Sequence, residues 1–247
     1  MLIGILQTGK VNPAIVGRHG EYPPMFEALF AEAAPEFRFR THAVVDGEMP
    51  ESVEDCDAWL VAGSKHGVYD DLPWIAPLEA FVREARAAGR PLLGICFGHQ
   101  LLAQAFGGRV VKSEKGWGLG PEGYRILRRP GWMADAPEEI VLHAIHQDQV
   151  VDMPADATLL AESDHCPCAM LAYCDPEAPD AVGIQPHPEC RDAYVADLAA
   201  VLGREGRAPA TITERARDAV GRPLDSAAFA RWAAAFLRLK VRGERAA

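Results

Sequence analysis

The sequence of 247 residues contains no run that approaches the ~18 consecutive apolar residues needed to span a bilayer. Its first residues, MLIGILQTG, lack the basic segment and the long apolar segment of a secretory signal. These two absences predict a cytoplasmic protein that makes no contact with a membrane. We expect its six cysteines to stay reduced, because disulfides rarely persist in that compartment.

Positive charge is scarce in this sequence. The 25 lysines and arginines face 35 aspartates and glutamates, so the formal net charge is −10. A field of this sign repels phosphate backbones, which argues against nucleic acid as a partner. The sequence also lacks the G-x-x-x-x-G-K-[ST] loop that cradles the phosphates of ATP. An ATP-dependent step would therefore require a separate chain.

Short apolar runs alternate with amphipathic segments along most of the chain. This pattern is typical of βα units around an open, mostly parallel sheet flanked by helices. The apolar runs at 59–62 and 92–95 predict central strands buried on both faces. Helical spacing of apolar residues predicts helices at 75–85, at 99–106 and through a tail from about Arg191 to the end. The predicted strands are Leu2–Leu6, Phe37–Val45, Ala58–Ala62, Pro91–Ile95, Arg109–Lys112, Tyr124–Leu127, Ile140–Ile145, Thr158–Ala161, Ala169–Tyr173 and Ala181–Gln185.

The strongest chemical signal is the segment Gly94–Gln100, GICFGHQ, in which an apolar strand runs directly into a helix. This arrangement is the cysteine counterpart of a nucleophile elbow, where the nucleophile occupies a sharp, strained turn. Glycines at 94 and 98 remove side chains that would crowd Cys96 there. The helix N-terminus also favours the thiolate of Cys96 over its thiol. Taken alone, the pattern would fit an ordinary buried cysteine equally well.

A second segment, Ala181–Glu189, supplies a base for this nucleophile and a group that orients the base. An apolar strand ends at His187, which has a proline on either side. In an extended backbone the side chain of Glu189 points to the same side as that of His187. Glu189 can then accept a hydrogen bond from one imidazole nitrogen while the other nitrogen faces the sulfur. Together with Cys96, these two residues predict a catalytic triad.

The segments Gly94–Gln100 and His187–Glu189, in this order and at this spacing, resemble the class I glutamine amidotransferases over residues 1–190. The resemblance implies a flavodoxin-like sheet and a triad of Cys96, His187 and Glu189. It also implies a γ-glutamyl thioester, with ammonia released from glutamine to an acceptor and no cofactor needed for this half-reaction. Residues 191–247 are expected to form a helical extension packed on the same domain.

The same resemblance assigns further residues to the site. The loop at Gly63 and Ser64 and the N–H of Phe97 are expected to form the oxyanion hole, where each donor contributes roughly 2.7–4 kcal/mol. No proline follows Ser64, so which N–H of this loop points inward is open. A carboxylate in the substrate pocket would bind the α-ammonium group. The residues expected to contact the substrate are Gln100, Glu114, Trp117 and Asp148.

Several interpretations of the function are left open by the sequence. A glutaminase component would need a separate synthetase chain, whereas a γ-glutamyl peptidase, which the loop from Gly63 to Asp71 also resembles, would act alone. A non-catalytic binding module is a third interpretation, which the intact Cys, His and Glu disfavour. The segment His165–Cys168 lacks the second ligand pair of a zinc site, and no metal is predicted. The glycines of 116–123 follow no apolar strand directly, so they do not predict a dinucleotide site.

Overall fold

The computed structural model describes the backbone of residues 1–244 and the side chains of residues 1–239. The strands are β1 (Leu2–Leu6), β2 (Arg38–His42), β3 (Ala58–Val61), β4 (Leu92–Ile95), β5 (Arg109–Lys112), β6 (Gly118–Ile126), β7 (Glu139–His146), β8 (Asp148–Asp152), β9 (Ala157–Glu162), β10 (Met170–Tyr173) and β11 (Ala181–Ile184). The helices are α1 (Val16–His19), α2 (Tyr22–Phe30), α3 (Ile75–Ala87), α4 (Phe97–Ala105), α5 (Asp192–Arg204), α6 (Ala210–Asp218) and α7 (Ser226–Glu244).

A nine-stranded sheet forms the centre of the molecule, with the strand order β2-β1-β3-β4-β11-β10-β9-β6-β7. The strands from β2 to β11 in this order run parallel. The remaining four continue the sheet as antiparallel neighbours. Strands β5 and β8 form a separate antiparallel pair. The predicted open α/β sheet is confirmed, and its parallel part contains the strands that precede the candidate catalytic segments.

Helices cover both faces of this sheet. On one face, Ile3 and Ile5 of β1 pack in one apolar cluster with α2 and α7. On the other face, Leu6 and Trp59 pack in a second cluster with α3 and α4. Strands β3 and β4 are buried along their whole length, which confirms that they are central. Each large apolar side chain buried in this way contributes roughly 1.5–3 kcal/mol to the stability of the fold.

Two predicted strands have bounds that differ from those in the structure by more than one residue. Strand β2 ends at His42, because Val44–Asp46 forms a 3-10 turn instead of continuing the predicted strand to residue 45. Strand β6 begins at Gly118, six residues before the predicted start. Its glycines and Pro121 resemble a loop in sequence. Strand β9 pairs only with the last two residues of β6, so Pro121 has a strand neighbour on one side alone and its missing N–H is tolerated.

Other elements were missed or began elsewhere. Helices α1 and α2 and strand β8 were not predicted. Helix α3 begins at Ile75 as predicted, whereas α4 begins at Phe97, two residues before its predicted start. In the tail, α5, α6 and α7 follow the predicted helical pattern, while residues 245–247 lie outside the described residues. Among the helices that the structure describes, none has the length and hydropathy required to cross a membrane.

A buried histidine in α4 is expected to make the free energy of unfolding depend on pH. His99 is fully buried, and burial lowers its pKa to about 4, so its ring is neutral in the folded protein at neutral pH. In the unfolded chain its pKa is about 6.5. The unfolded state therefore binds a proton first as the pH falls. We expect this residue to lower the free energy of unfolding by about 1.4 kcal/mol per pH unit between about pH 6 and pH 4.

Denaturant titrations over this pH range, on the wild type and on His99→Gln, isolate the contribution of His99. The glutamine amide can still donate to the carbonyl oxygen of Cys168, which lies 2.9 Å from His99 Nε2. The other buried histidines contribute equally to both proteins, so the difference in slope belongs to His99. If the free energy of unfolding changes with pH equally in both proteins, the His99 ring is not held neutral in the folded state.

Candidate active site

The sheet order brings the two predicted catalytic segments together. Strand β4 lies directly beside β11 in parallel, with Gly94 opposite Gly183 and Ile95 opposite Ile184. Both strands therefore end at the same edge of the sheet, where ligand sites of open α/β sheets form. Cys96 follows the first strand immediately, and the segment with His187 follows the second. Strand β3, the neighbour of β4 on its other side, ends at the same edge before Gly63.

Cys96 occupies the strained turn between β4 and α4. Its backbone has φ +53° and ψ −103°, a conformation that non-glycine residues rarely adopt. A Cβ on Gly94 would lie 2.5 Å from the carbonyl oxygen of Gly98, and a Cβ on Gly98 would collide with the carbonyl group of Val61. The two glycines therefore allow the backbone around the turn to pack closely, instead of only making room for the cysteine side chain.

His187 and Glu189 form a buried pair beside this turn. His187 Nδ1 lies 2.7 Å from Glu189 Oε1, and both residues are buried. The Cys190 sulfur lies within 4.8 Å of ligand atoms of His187 and Glu189, and Cys96 lines the same cavity as the imidazole. Burial by itself lowers the pKa of His187, but the charges of Glu189 and Cys96 outweigh it and raise the pKa well above its usual value. The arrangement favours an imidazolium beside the Cys96 sulfur.

A second cysteine, Cys190, lies near the His187 imidazole. Cys190 is fully buried, and burial together with the nearby charge of Glu189 raises the pKa of its thiol to about 12. Cys190 therefore stays a thiol at neutral pH, and a thiol is a poor nucleophile. Cys96 differs in position, because it lies in a strained turn at the N-terminus of α4 and lines the cavity. The position of each residue thus distinguishes two cysteines that line the same cavity as His187.

Strand β7 holds the His187 segment in place. The N–H of His187 donates to the carbonyl oxygen of His143 at 2.8 Å. The His143 ring lies 2.9 Å from Asp192 at the start of α5. Burial lowers the pKa of His143, so that ring is neutral. The segment is therefore fixed between the sheet and the first helix of the tail.

Backbone N–H groups next to Cys96 form the candidate oxyanion hole. Within the described part of the chain, no group accepts a hydrogen bond from the N–H of Gly63, Ser64 or Phe97. Gly63 is also tightly packed, because a Cβ on it would lie 2.8 Å from Cε1 of His187. A glycine at this position lets the loop approach the imidazole.

We expect Gly63→Ala to lower kcat/KM by roughly 100-fold or more while the protein still folds. The added methyl group must displace the His187 ring, and a displacement of about 1 Å can cost about 100-fold in rate. Steady-state kinetics and circular dichroism measure the two effects. Gly17→Ala is the matched control, since a Cβ on Gly17 in α1 has no neighbour within 4 Å. Wild-type activity in Gly63→Ala would contradict the close approach of Gly63 to the His187 ring.

A cavity of about 510 Å³ opens in front of Cys96 and His187. Three of the predicted substrate residues line it: Gln100, Trp117 and Asp148. Gly63 and Ser64 line it as well. Glu114 is exposed and lies outside the lining, so the cavity gives no support to its predicted role.

The end of the cavity near Gln100 is polar. Gln100 Nε2 donates to the backbone oxygen of Asp148 at 2.9 Å and to Gln185 Oε1 at 3.1 Å. The Asp148 carboxylate accepts a hydrogen bond from Tyr69 at 3.1 Å, and burial raises its pKa. His146 also lines the cavity, and burial lowers its pKa to about 3.

The ligand atoms of His187, Glu189 and Cys190 lie within 4.8 Å of one another, the spacing of a candidate metal site. Tetrahedral zinc requires four ligands at roughly 2.0–2.3 Å from the ion. His187 Nδ1 and Glu189 Oε1 already share a hydrogen bond of 2.7 Å. The geometry of His187 and Glu189 is therefore that of a hydrogen-bonded pair, and these two atoms would have to separate to bind one ion.

The fold and site define an α/β protein with a cysteine elbow. A family model described as "Glutamine amidotransferase class-I" matches residues 39–193. Gamma-glutamyl peptidase 4 of Arabidopsis thaliana is 32% identical over 73% of this chain and 72% of its own. A subunit of the glutamine-hydrolysing GMP synthase of Archaeoglobus fulgidus is 28% identical over 71% of this chain and 87% of its own. The chain belongs to the class I glutamine amidotransferase family.

Solved structures agree on the fold. The crystal structure of a glutamine amidotransferase from Thermotoga maritima superposes with a TM-score of 0.72 and covers 98% of both chains, at 19% identity. At this identity the likeness concerns the arrangement of strands and helices. The resemblance stated from the two motifs is thereby confirmed at the level of family and fold.

Proposed function

We propose that this protein hydrolyses γ-glutamyl amide bonds through a thioester on Cys96. The observation that carries the proposal is the strained Cys96 at the start of α4, beside the buried pair of His187 and Glu189. Nucleophile, base and orienting carboxylate are the components of a covalent acyl transfer. Relatives named gamma-glutamyl peptidases over most of the chain support the γ-glutamyl group as the acyl part.

In the first step the Cys96 thiolate attacks the γ-carbonyl carbon, and N–H groups of Phe97 and of the Gly63–Ser64 loop stabilise the oxyanion. The carbon–nitrogen bond then breaks as His187 donates a proton to the leaving amine. In the second step His187 takes a proton from water, whose oxygen attacks the thioester carbon. The carbon–sulfur bond breaks, and glutamate and the Cys96 thiolate are released. Glu189 stabilises the imidazolium in both steps.

A second candidate is a glutaminase component that delivers ammonia to a synthetase on another chain. Its support is the similarity to the GMP synthase subunit of Archaeoglobus fulgidus, which covers 71% of this chain. Both candidates use the same thioester and differ in the leaving group and in the need for a partner. A glutaminase component is expected to turn over glutamine weakly without that partner.

The deciding experiment measures glutamate release by the purified chain from glutamine and from γ-glutamylglycine, side by side. Strong cleavage of the dipeptide supports the free-standing hydrolase. Weak cleavage of glutamine alone supports the glutaminase component. No glutamate from either substrate, with an intact fold, would overturn the proposal that Cys96 acts on γ-glutamyl compounds.

A further inference from the structure

The cavity beside Cys96 is larger than a γ-glutamyl group requires. Its volume of about 510 Å³ lies in the range of roughly 300–1,000 Å³ in which proteins bind drug-sized ligands, which are larger than free glutamine. One end is polar, with Gln100 and Asp148. The other end is formed by α5, α1 and the residues before α1, where the apolar side chains of Val16, Leu198 and Leu202 lie in the same lining as Lys10 and Asn12. A substrate that fills the cavity therefore carries an apolar group in addition to its γ-glutamyl group.

His187 indicates which part of the substrate lies at the apolar end. On the proposed function, on which this inference rests, His187 protonates the leaving amine. Cys96, His187 and Cys190 all line the cavity, and Cys190 belongs to the same apolar cluster as Tyr194 and Leu202 of α5. The leaving amine is thus directed toward α5, and the γ-glutamyl group lies toward the polar end.

The apolar end is formed by side chains from separate parts of the chain. Leu198 and Leu202 are four residues apart on α5, so they lie on one face of the helix. Val16 of α1 and Trp117 complete the wall, and all four residues belong to or pack against one apolar cluster. The indole N–H of Trp117 donates to a backbone carbonyl 2.8 Å away, so its polar atom is already bonded. A large apolar side chain of a substrate would lose its contact with water here.

The cations that line this cavity differ in whether a carboxylate neutralises them. Lys10 forms an ion pair with Asp46 at 2.6 Å, and Arg207 forms one with Glu205 at 3.3 Å. Lys65 lies in the candidate oxyanion loop and lines the same cavity, and among the described residues no carboxylate pairs with it. Its ammonium group is thus available to an anionic group on the leaving amine.

We propose that the substrate is a γ-glutamyl amide whose leaving amine is an amino acid with a large apolar side chain. The apolar side chain contacts Leu198 and Leu202, and the α-carboxylate of the leaving amino acid pairs with Lys65. Hydrolysis adds the water hydroxyl to the glutamyl carbonyl carbon, and the leaving nitrogen takes its proton from His187. The products are glutamate and the free apolar amino acid.

The test compares kcat/KM of the full chain for γ-glutamylleucine, γ-glutamylglycine and glutamine. We expect γ-glutamylleucine to exceed γ-glutamylglycine by roughly ten- to 100-fold, the effect of burying one large aliphatic side chain. Leu198→Ser should reduce this ratio several-fold, because the half-buried side chain is removed from the wall. Leu239→Ser, on the exposed face of α7, is the matched control and should leave the ratio unchanged.

The role of Lys65 requires a separate comparison, of γ-glutamylleucine with γ-glutamylleucinamide. The wild type should prefer the free acid by about two- to fivefold at low salt, and Lys65→Gln should lose that preference. An exposed ion pair has an effect of this size, and added salt should weaken it. An equal preference in Lys65→Gln and the wild type would overturn the carboxylate contact.

The outcomes separate this inference from the proposed function. Turnover of all three substrates with a leucine-to-glycine ratio near one would overturn the inference and leave the proposed function standing. An unchanged ratio in Leu198→Ser would overturn the role of α5. No turnover of any γ-glutamyl compound would refute the proposed function and the inference with it.

Discussion

Replacing Cys96 with alanine should lower kcat/KM for a γ-glutamyl amide by at least about 10⁴-fold. Removal of the nucleophile from a comparable triad costs about 10⁶-fold in kcat, because the remaining residues cannot form the covalent intermediate. Cys96 is 4% exposed and lies at the strained start of α4. Alanine accepts the same backbone conformation about as well as cysteine, so we expect the fold to be retained. Stopped assays of glutamate release and circular dichroism measure both quantities.

The controls for this experiment are other cysteines of the same chain. Cys174→Ser alters an exposed thiol and should keep wild-type activity. Cys190→Ser alters a second thiol, within 4.8 Å of a ring nitrogen of His187, and should keep measurable turnover, because the high pKa of Cys190 excludes it as a nucleophile. If Cys96→Ala is active and Cys190→Ser is not, the assignment of the nucleophile is wrong.

Replacing Glu189 with glutamine should lower kcat by about 10⁴-fold with little change in structure. In a Ser-His-Asp triad the corresponding amide substitution has this effect, because the amide holds the imidazole in the wrong tautomer. Here His187 Nδ1 lies 2.7 Å from Glu189 Oε1 in a buried site, where the lost charge is not replaced by water. Steady-state kinetics over a pH series is the appropriate measurement.

The pH profile distinguishes this role from a merely structural one. The Glu189 carboxylate helps to hold the pKa of His187 well above its usual value against the opposing effect of burial. Without the carboxylate, burial dominates and the pKa of His187 falls. The imidazolium is then lost at a lower pH, so the basic limb of the kcat/KM profile should move to lower pH. If the basic limb of the kcat/KM profile of Glu189→Gln does not move, Glu189 is not the group that keeps His187 protonated.

The raised pKa of His187 also makes the stability of the folded protein depend on pH. In the folded protein the imidazole keeps its proton to a higher pH than in the unfolded chain, where its pKa is about 6.5. The stabilisation from this pair is therefore fully present below about pH 6.5 and is lost as the pH rises through the folded-state pKa. Its dependence on pH is opposite in sign to that of the neutral, buried His99.

The local chemistry of the candidate site could be predicted from residues that are close in sequence. The turn at Cys96 needs only an apolar strand, glycines on either side and a following helix, all within Gly94–Gln100. The pairing of His187 with Glu189 needs only an extended backbone across two residues. Buried strands such as β3 and β4 could be predicted because their apolar runs have no polar interruption.

Predictions failed where pairing with a distant strand overrides local preference. Gly118 and Pro121 favour a loop, yet eight registered pairs with β7 make this segment a strand. Strand β8 was missed because its pairing with β5 depends on a contact across the fold, and its charged residues gave no apolar alternation. Strand propensity depends on such neighbours more than on the residues themselves.

The sequence by itself determined the candidate reactive groups, their order along the chain and the α/β class. Tertiary structure alone decided that β4 and β11 are neighbours, which brings Cys96 and His187 to one sheet edge. It also decided that Leu198 and Leu202 face the cavity, whereas Glu114 remains in solvent. The physical reason is that reactivity follows from residue type and nearby backbone. The shape of a cavity follows from which distant surfaces exclude water together.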